Sequence, residues 1–369
     1  MQPKNKSPQT VCVAMSGGVD SSVAAFLLQQ EGFELIGIHL RFWHDPSTDA
    51  SMPQKANKCC DAGALADARR IAHQLAIPFY VFDVSEDFYQ QLVAPFFAAY
   101  QNNQTPNPCV RCNQFIKFGA LWQKAESLGA SYIATGHYAQ IKKEEGGAYA
   151  IYRGRDDKKD QSYFLYRLSQ EQLGRSLLPL GGYIKEEIFA LAKQHELLPA
   201  HRKESQDLCF VQEDKIKPLL QRHLGEKAFK SGPIIDQASG KTLGSHQGLP
   251  SYTIGQRRGL QVGGQAEPLY VIDKNAKTNT LLVGQAAALK QTKISLTDLC
   301  FNLPQKPASG SKVDVRVRYR STAQAATYYH DKNQDWLEFE QPQSALTPGQ
   351  SAVFYQGTRL LGGGVMIAN

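Results

Sequence analysis

The chain has 369 residues, with 41 Lys and Arg against 34 Asp and Glu and a formal net charge of +7. Its hydrophobic content of 42% and charged content of 20% are those of a folded globular protein, which excludes wholesale disorder and a collagen-like structure. No stretch is apolar over the roughly 18 residues that a membrane span needs, so we expect a cytoplasmic protein with no membrane partner. The mild basic excess permits a polyanionic partner without requiring one.

The N-terminal part of the chain alternates short apolar runs with helical patterns. Strands are predicted at 10–15, 33–40, 79–84 and 132–135, and helices at 20–30, 64–76, 86–100, 115–128, near Gln170 and at 184–195. Such alternation is typical of a parallel sheet covered by helices on both faces. After about Ser231 the chain changes to short β-prone runs between Gly, Pro and Asn, which predicts a barrel or sandwich. The predicted fold class is α/β followed by β.

A glycine-containing loop joins the first predicted strand to the first predicted helix. It reads Ser16-Gly17-Gly18-Val19-Asp20-Ser21. Two adjacent glycines let the backbone approach phosphate oxygens, while the first helical amides and the serine hydroxyls supply hydrogen-bond donors. Asp20 is suited to cap the helix or to help hold Mg²⁺ beside phosphates. A bare Gly-Gly also fits an ordinary strand-to-helix turn, but the whole hexapeptide in this context favours a phosphate site.

The seven cysteines are an odd number, which argues against a disulfide framework. Cys109 and Cys112 form a C-x-x-C in a proline-stiffened loop before a helix. The helix start and Arg111 favour a lowered thiol pKa, which makes Cys112 the best candidate nucleophile. The same spacing also fits half of a zinc site, a redox pair or two ligands of an iron–sulfur cluster.

The other cysteines carry weaker signals. Cys209 taken alone indicates a buried core thiol, and Cys12 and Cys300 lie in apolar β-prone runs that indicate the core. The adjacent Cys59 and Cys60 are interpreted as structural or incidental.

Three further segments are candidates for contact with a polyanion. A strand is predicted at 313–320, where Arg316, Arg318 and Arg320 alternate with apolar residues. Three guanidiniums on one face suit phosphate contacts, and they are also typical of the solvated side of a barrel strand. His137 follows the strand at 132–135, at the edge of a parallel sheet where ligands collect. The polar segment 158–163 indicates a loop.

Together these segments resemble the bacterial tRNA-specific 2-thiouridylases, a family of PP-loop ATP pyrophosphatases. The matching segments are AMSGGVDSSV at 14–23, TPNPC-x-x-CN at 105–113, IKFG at 116–119, ATGHY at 134–138, KDQSYFL at 159–165, CF at 209–210, YTIGQRRGL at 252–260, VRYR at 317–320 and TPGQSAVFY at 347–355. They occur in the family's order, so the resemblance covers nearly the whole chain.

The resemblance implies a Rossmann-like PP-loop domain over residues 1–205, a small central domain over 206–285 and a C-terminal β-barrel over 286–369. It implies a sulfurtransferase that binds the anticodon arm of tRNA. ATP, with Mg²⁺, would adenylate the C2 oxygen of the wobble uridine, and sulfur would then replace that oxygen with release of AMP and pyrophosphate. The sulfur would come from a donor or relay protein, or from free sulfide.

The resemblance also assigns residues by position. Cys112 matches the nucleophile and Cys209 the cysteine that carries a persulfide. The ATP site would be formed by Ala14, Met15, Ser16, Gly17, Gly18, Val19, Asp20, Ser21, Leu40 and Gly136. The tRNA would be contacted by Asn107, Pro108, Cys109, His137, Lys159, Asp160, Gln161, Arg318, Tyr319 and Gln350.

One position departs from part of the family. Some members carry an aspartate, suited to act as an acid or base, where this chain has Cys109. Cys109, Cys112 and Cys209 would together suit a [4Fe–4S] cluster whose open iron binds sulfide. The sequence leaves persulfide and cluster chemistry open.

Two other functions account for fewer residues. A PP-loop enzyme that adenylates a small molecule would use residues 16–21 but leave the cysteines and the β-domain arginines without a role. A non-catalytic RNA-binding protein with a structural zinc at Cys109 and Cys112 would need two more ligands, and no second C-x-x-C or close His pair supplies them.

Overall fold

The structure is a computed structural model that describes residues 9–46, 62–197, 208–211, 216–264, 267–302 and 305–368. The N-terminal strands are β1 (Thr10–Ala14), β2 (Glu34–Arg41), β3 (Phe79–Asp83), β4 (Tyr132–Ala134), β5 (Ala139–Lys143), β6 (Tyr149–Arg153) and β7 (Ser176–Leu177). The N-terminal helices are α1 (Val19–Gln30), α2 (Ala62–Gln74), α3 (Ser85–Phe88), α4 (Ala94–Gln101), α5 (Pro108–Arg111), α6 (Leu121–Ser127), α7 (Gln170–Gly174) and α8 (Lys185–Gln194).

A parallel sheet with the strand order β3-β2-β1-β4-β7 organises this part of the chain. Its central strand β1 places Cys12 opposite Ile36 of β2 and Ile133 of β4. The side chains of residues 11–13 are completely buried, as expected for a strand whose sheet is covered on both faces. The α/β class predicted from the alternating pattern is confirmed.

Two helices that the sequence predicts as continuous are interrupted by π-helical turns. The helix expected at 86–100 consists of α3, a π-helical turn at Tyr89–Val93, and α4. The helix expected at 115–128 begins earlier, as a π-helical stretch at Cys112–Ala120 that continues into α6. π-helical turns are often found at functional sites, and the second one begins at the predicted nucleophile.

The central unit consists of one helix and a small sheet. Its elements are α9 (Ile216–Leu224), β8 (Gly232–Asp236), β9 (Thr242–His246), β10 (Tyr270–Asn275) and β11 (Thr280–Gly284). The strand order is β10-β11-β8-β9, and the sheet encloses its own hydrophobic cluster, which includes Ile234, Val271 and Leu281.

The C-terminal unit is a closed β-barrel. Its strands are β12 (Lys290–Phe301), β13 (Ser311–Arg316), β14 (Gln324–His330), β15 (Asp335–Ser344), β16 (Ser351–Gln356) and β17 (Arg359–Ile367). They follow the order β12-β15-β14-β13-β16-β17, and pairing between β12 and β17 closes the barrel. The predicted barrel is therefore confirmed. None of the described helices is long and apolar enough to span a membrane.

The hairpin formed by β5 and β6 is the main element that sequence reasoning missed. It pairs with β17, where Tyr152 lies opposite Arg359, and so extends the barrel sheet to eight strands. Arg359 also forms an ion pair with Glu144 at the hairpin turn. An N-terminal hairpin is thus built into the C-terminal sheet.

The predicted face of three arginines is wrong. β13 ends at Arg316, so residues 317–320 do not continue the alternation. Arg316 is 7% exposed and forms an ion pair of 2.8 Å with the buried Asp160. It points inward because this carboxylate supplies a buried partner for its charge.

Candidate active site

The loop between β1 and α1 is shaped by close packing. Gly17 has a φ of +76°, and a Cβ there would lie 2.2 Å from the carbonyl oxygen of Ala64 in α2. Only glycine lets the loop lie this close to α2. Gly18 is the N-cap of α1 and makes no side-chain capping bond. The first amides of a helix have no intrahelical partner, so they remain available to an anion at this positive end of the helix dipole.

Hydrogen bonds hold the same loop in place. The hydroxyls of Ser21 and Ser22 both donate to the Gly18 carbonyl at 3.0 Å. His39 of β2 donates from Nδ1 to the Met15 carbonyl at 2.8 Å. Gly136, which follows the neighbouring strand β4, lies so close that a Cβ there would be 3.0 Å from the Ser21 amide nitrogen. The loop is therefore preformed.

The carboxylate of Asp20 is already occupied. Lys185 Nζ donates to both of its oxygens, at 2.7 and 2.8 Å, and the hydroxyl of Tyr138 donates to Oδ1 at 2.6 Å. In this arrangement both oxygens face an ammonium group, so Asp20 does not fit a direct Mg²⁺ ligand.

The cysteine loop turns into a four-residue helix, α5, whose N-cap is Asn107. Cys109 is half-buried, whereas Cys112 is 7% exposed. The neighbouring Arg111 donates from Nε to the Gln91 carbonyl at 2.8 Å, and its guanidinium lies 4.9 Å from the ring centre of Phe115.

All three units of the protein meet at Thr105, just before this helix. The Thr105 amide donates to the Pro348 carbonyl of the barrel at 3.0 Å, and its hydroxyl lies 3.5 Å from that of Thr253 in the central unit. Gln350 Nε2 donates to the carbonyls of Thr105 and Pro106, at 2.8 and 3.2 Å. At Gly349 a Cβ would lie 2.9 Å from the Thr105 nitrogen. The barrel loop thus clamps the cysteine loop.

Cys209 lies in the short described segment 208–211. It is half-buried and packs against the hydrophobic cluster to which Cys112 belongs. Its neighbour Phe210 makes edge-to-face contacts with Phe88 and Phe96, with centroids 5.9 and 5.1 Å apart. These contacts fix the Cys209 segment on the interrupted helix that also binds Arg111.

Of the remaining cysteines, the structure describes Cys12 and Cys300. Cys12 is completely buried and its thiol pKa is raised to about 12 by burial, as expected for a core residue. Cys300 is half-buried in β12, and Cys59 and Cys60 lie outside the described residues. Within the described ranges, no group of three His, Cys, Asp or Glu side chains is arranged to hold a metal ion.

His137 is buried next to the loop of the nucleotide site. Its Nδ1 lies 2.7 Å from the Thr135 hydroxyl. Burial, and secondarily the charge of Lys117, lowers the pKa of His137 well below 6.5. His137 is therefore neutral at physiological pH and presents a hydrogen-bonding group without charge.

The segment 159–161, predicted to touch tRNA, is held mostly by internal bonds. Asp160 is 2% exposed, and its carboxylate accepts from Arg153, Arg316 and the amides of residues 154 and 162. Gln161 Oε1 accepts from the Tyr138 amide at 3.0 Å. Lys159 is only half-buried.

Two further predicted tRNA contacts lie on the barrel. Arg318 is exposed and donates to the Ala345 carbonyl at 2.8 Å. Tyr319 packs its ring 4.5 Å from that of Phe164, which follows the 159–161 segment. Tyr319 therefore lies beside the predicted tRNA-contacting segment, whereas Arg318 lies against residues 345–347 of the barrel.

Sequence reasoning missed Lys185 and Asp156. Lys185 opens α8, far from any recognised motif, and Asp156 precedes the matched segment at 159–165. For Lys185, the only signal in the sequence was the predicted start of a helix near residue 184. That signal does not indicate which residue the lysine side chain contacts. Their place at the site depends on the tertiary fold.

A parallel sheet with a preformed anion-binding loop after its first strand defines a nucleotide-binding enzyme of the PP-loop class, here joined to a β-barrel. Profiles described as tRNA methyl transferase HUP domain, tRNA methyl transferase PRC-barrel domain and Aminomethyltransferase beta-barrel domain match residues 9–213, 217–285 and 291–366. The chain belongs to the family of tRNA-specific 2-thiouridylases, as its sequence motifs predict.

The similarity to relatives extends over nearly the whole chain. The tRNA-specific 2-thiouridylase MnmA of Carboxydothermus hydrogenoformans is 42% identical over 96% of this chain and 97% of its own length. That of Moorella thermoacetica is 44% identical over 96% of this chain and 98% of its own. The solved structure of the U34-tRNA thiolase NcsA from Methanococcus maripaludis with its [4Fe-4S] cluster covers 59% of this chain and 67% of its own, at 20% identity and a TM-score of 0.34, too low to bear on the site.

Proposed function

We propose that this protein replaces the C2 oxygen of the wobble uridine in tRNA with sulfur, at the expense of ATP. The observation that carries the proposal is the junction at Thr105, where the barrel and the central unit hold the cysteine loop of a PP-loop domain. An enzyme for a small molecule would not require three units to converge on this loop. The full-length similarity to tRNA-specific 2-thiouridylases supports the same conclusion.

In the first step the loop at residues 14–21, with Leu40 and Gly136 beside it, would bind ATP. The amides of the first turn of α1 and the Ser16 hydroxyl would donate to phosphate oxygens. The C2 oxygen of the uridine attacks the α-phosphorus and pyrophosphate leaves, which turns that oxygen into part of an AMP leaving group. Mg²⁺ would be held by the phosphates, since the oxygens of Asp20 are bound to Lys185.

In the second step sulfur would be delivered by the two cysteines. The terminal sulfur of a Cys209 persulfide attacks C2 and AMP leaves. The Cys112 thiolate then attacks Sγ of Cys209, which forms a Cys112–Cys209 disulfide and releases 2-thiouridine. A thiol reductant restores the two cysteines, and a persulfide-bearing donor reloads Cys209. The proposal takes the persulfide route because the described residues contain no group of three His, Cys, Asp or Glu side chains arranged to hold a metal ion.

The tRNA would lie across the junction. Asn107, Pro108 and Cys109 would be at the target base, and Lys159, Arg318 and Tyr319 would contact the RNA around it, with His137 as a neutral hydrogen-bonding partner. The resemblance assigns Asp160, Gln161 and Gln350 to direct contacts with tRNA, whereas we infer a supporting role for them. Their polar groups bind protein partners, so they order the loops that meet the RNA.

The test uses protein purified without oxygen, an unmodified tRNA transcript, Mg-ATP and a sulfide or persulfide source, followed by nucleoside mass spectrometry. We expect 2-thiouridine only when ATP and tRNA are both present. Cys112→Ser and Cys209→Ser should abolish thiolation and retain tRNA binding, whereas Cys300→Ser, at a half-buried thiol in the barrel, should retain both. AMP formation without tRNA would instead indicate a small-molecule enzyme, and tRNA binding with intact ATP a binding protein.

A further inference from the structure

Two residues bind the Asp20 carboxylate, and both are hydrogen-bonded to the same loop. On one side is the Lys185 ammonium, which is bound to both carboxylate oxygens and is itself 9% exposed. On the other side is the Tyr138 hydroxyl, 2.6 Å from Oδ1. Asp20 lies in the first turn of α1, where its negative charge would otherwise compete with phosphate for the helix amides.

Lys185 and Tyr138 are both attached through their backbone to residues 156–161, which we call the 156–161 loop. Its first residue, Asp156, accepts the Lys185 amide through Oδ2 at 2.9 Å, and the amides of Lys158 and Lys159 through Oδ1 at 2.9 and 3.2 Å. One carboxylate therefore joins the loop to the start of α8.

The last residue of the loop makes the second attachment. Gln161 Oε1 accepts the Tyr138 amide at 3.0 Å, and the Gln161 amide donates to the Tyr138 carbonyl at 2.8 Å. The two ends of the loop thus reach Asp20 through one residue each, Lys185 from Asp156 and Tyr138 from Gln161.

The middle of the same loop is fixed to the barrel. Asp160 Oδ2 accepts from Arg316 of β13 at 2.8 Å and from Arg153 of β6 at 3.2 Å. Because the Asp160 side chain is fully buried, displacing it would leave the Arg316 charge without its partner in the interior. The position of the loop therefore follows that of the barrel.

We propose that the 156–161 loop couples RNA binding to ATP cleavage by positioning Asp20. RNA seated on the loop and barrel stabilises the loop, the loop fixes Lys185 and Tyr138, and these hold the Asp20 carboxylate clear of the phosphate-binding amides. Asp156, Tyr138 and Lys185 are positioning residues. The proposal rests on the proposed function, since it takes tRNA as the ligand on the loop.

The test measures pyrophosphate release at saturating Mg-ATP over a range of concentrations of unmodified tRNA transcript. Asp156→Asn keeps the shape of the side chain and removes an acceptor, and should lower kcat at least about tenfold while the KM for tRNA changes less than about threefold. Tyr138→Phe, which removes only the hydroxyl at Asp20, should act in the same direction. Asp331→Asn is the matched control, because Asp331 is exposed in the turn between β14 and β15, outside the loop, and the same substitution there should leave kcat unchanged.

The lysine provides a second readout that folding alone would not produce. Lys185→Arg retains a cation for Asp20 and should keep several-fold more activity than Lys185→Gln, with equal thermal stability of the two variants. If the wild-type enzyme releases pyrophosphate with tRNA, and kcat is unchanged in both Asp156→Asn and Tyr138→Phe, the coupling is overturned but the proposed function is not. Absence of tRNA-dependent release in the wild type would overturn the proposed function, and the coupling with it.

Discussion

The clamp on the cysteine loop makes a quantitative prediction for Gln350. Its amide group donates two hydrogen bonds, to the carbonyls of Thr105 and Pro106 at 2.8 and 3.2 Å. Gln350→Ala removes both. A hydrogen bond of this kind contributes about 0.5–1.5 kcal/mol net, so the clamp should weaken by about 1–3 kcal/mol.

This loss of hydrogen-bond energy should lower the turnover number kcat. Every 1.4 kcal/mol is about a factor of ten, so the loss of about 1–3 kcal/mol should lower kcat by roughly 5- to 150-fold if the loop must be held in place for catalysis. Gln350→Glu should be worse, because a carboxylate cannot donate and faces two carbonyl oxygens. Gln356→Ala, at an exposed position at the end of β16, is the control and should behave as wild type.

The assay is steady-state formation of 2-thiouridine with tRNA as the varied substrate. The clamp predicts a lower kcat with a nearly constant KM for tRNA. A raised KM with an unchanged kcat would refute the reasoning, since that pattern indicates that Gln350 contacts tRNA directly.

Three further predictions concern the nucleotide loop, a buried histidine and an ion pair. Gly17→Ala should abolish ATP binding in equilibrium dialysis, because its Cβ would lie 2.2 Å from the Ala64 carbonyl; Gly182→Ala, with nothing within 4 Å, should bind normally. His137 has a pKa held well below 6.5, so the unfolded chain takes up a proton that the native chain does not, and the stability present above pH 6.5 is lost as pH falls. Between pH 7.5 and 5.5 the wild type should therefore lose more unfolding free energy than His137→Gln, and equal losses would contradict this. Arg222→Ala removes bonds of 3.0 and 2.7 Å to the buried Asp45 and should cost roughly 1–3 kcal/mol in urea denaturation, against at most about 1 kcal/mol for Arg41→Ala in an exposed pair.

Local patterns were sufficient where structure depends on local sequence. The apolar run at 10–15 and the glycine pair after it predict β1, the loop and α1 to within a residue, because burial on both faces and the turn leave few alternatives. The same holds for the parallel direction of the strands in this sheet, which follows from the alternation of strands and helices.

Contacts between residues distant in the sequence could not be predicted from the local sequence pattern. Arg316 alternates like a surface residue, yet it is buried because Asp160, distant in sequence, lies opposite. Lys185 could be placed in a helix, but its contact with Asp20 depends on how α8 packs against α1. The family resemblance supplied the residues of the motifs, whereas these pairings between motifs required the structure.

The hairpin of β5 and β6 has a consequence for how the protein is made. Its partner strand β17 follows roughly 200 residues later, so during synthesis Tyr149–Arg153 emerges long before Arg359–Ile367 exists. Until β17 has emerged, one edge of the hairpin lacks its neighbour and exposes backbone groups that other chains could pair with. A chain truncated before β17 should therefore aggregate rather than yield an active N-terminal fragment.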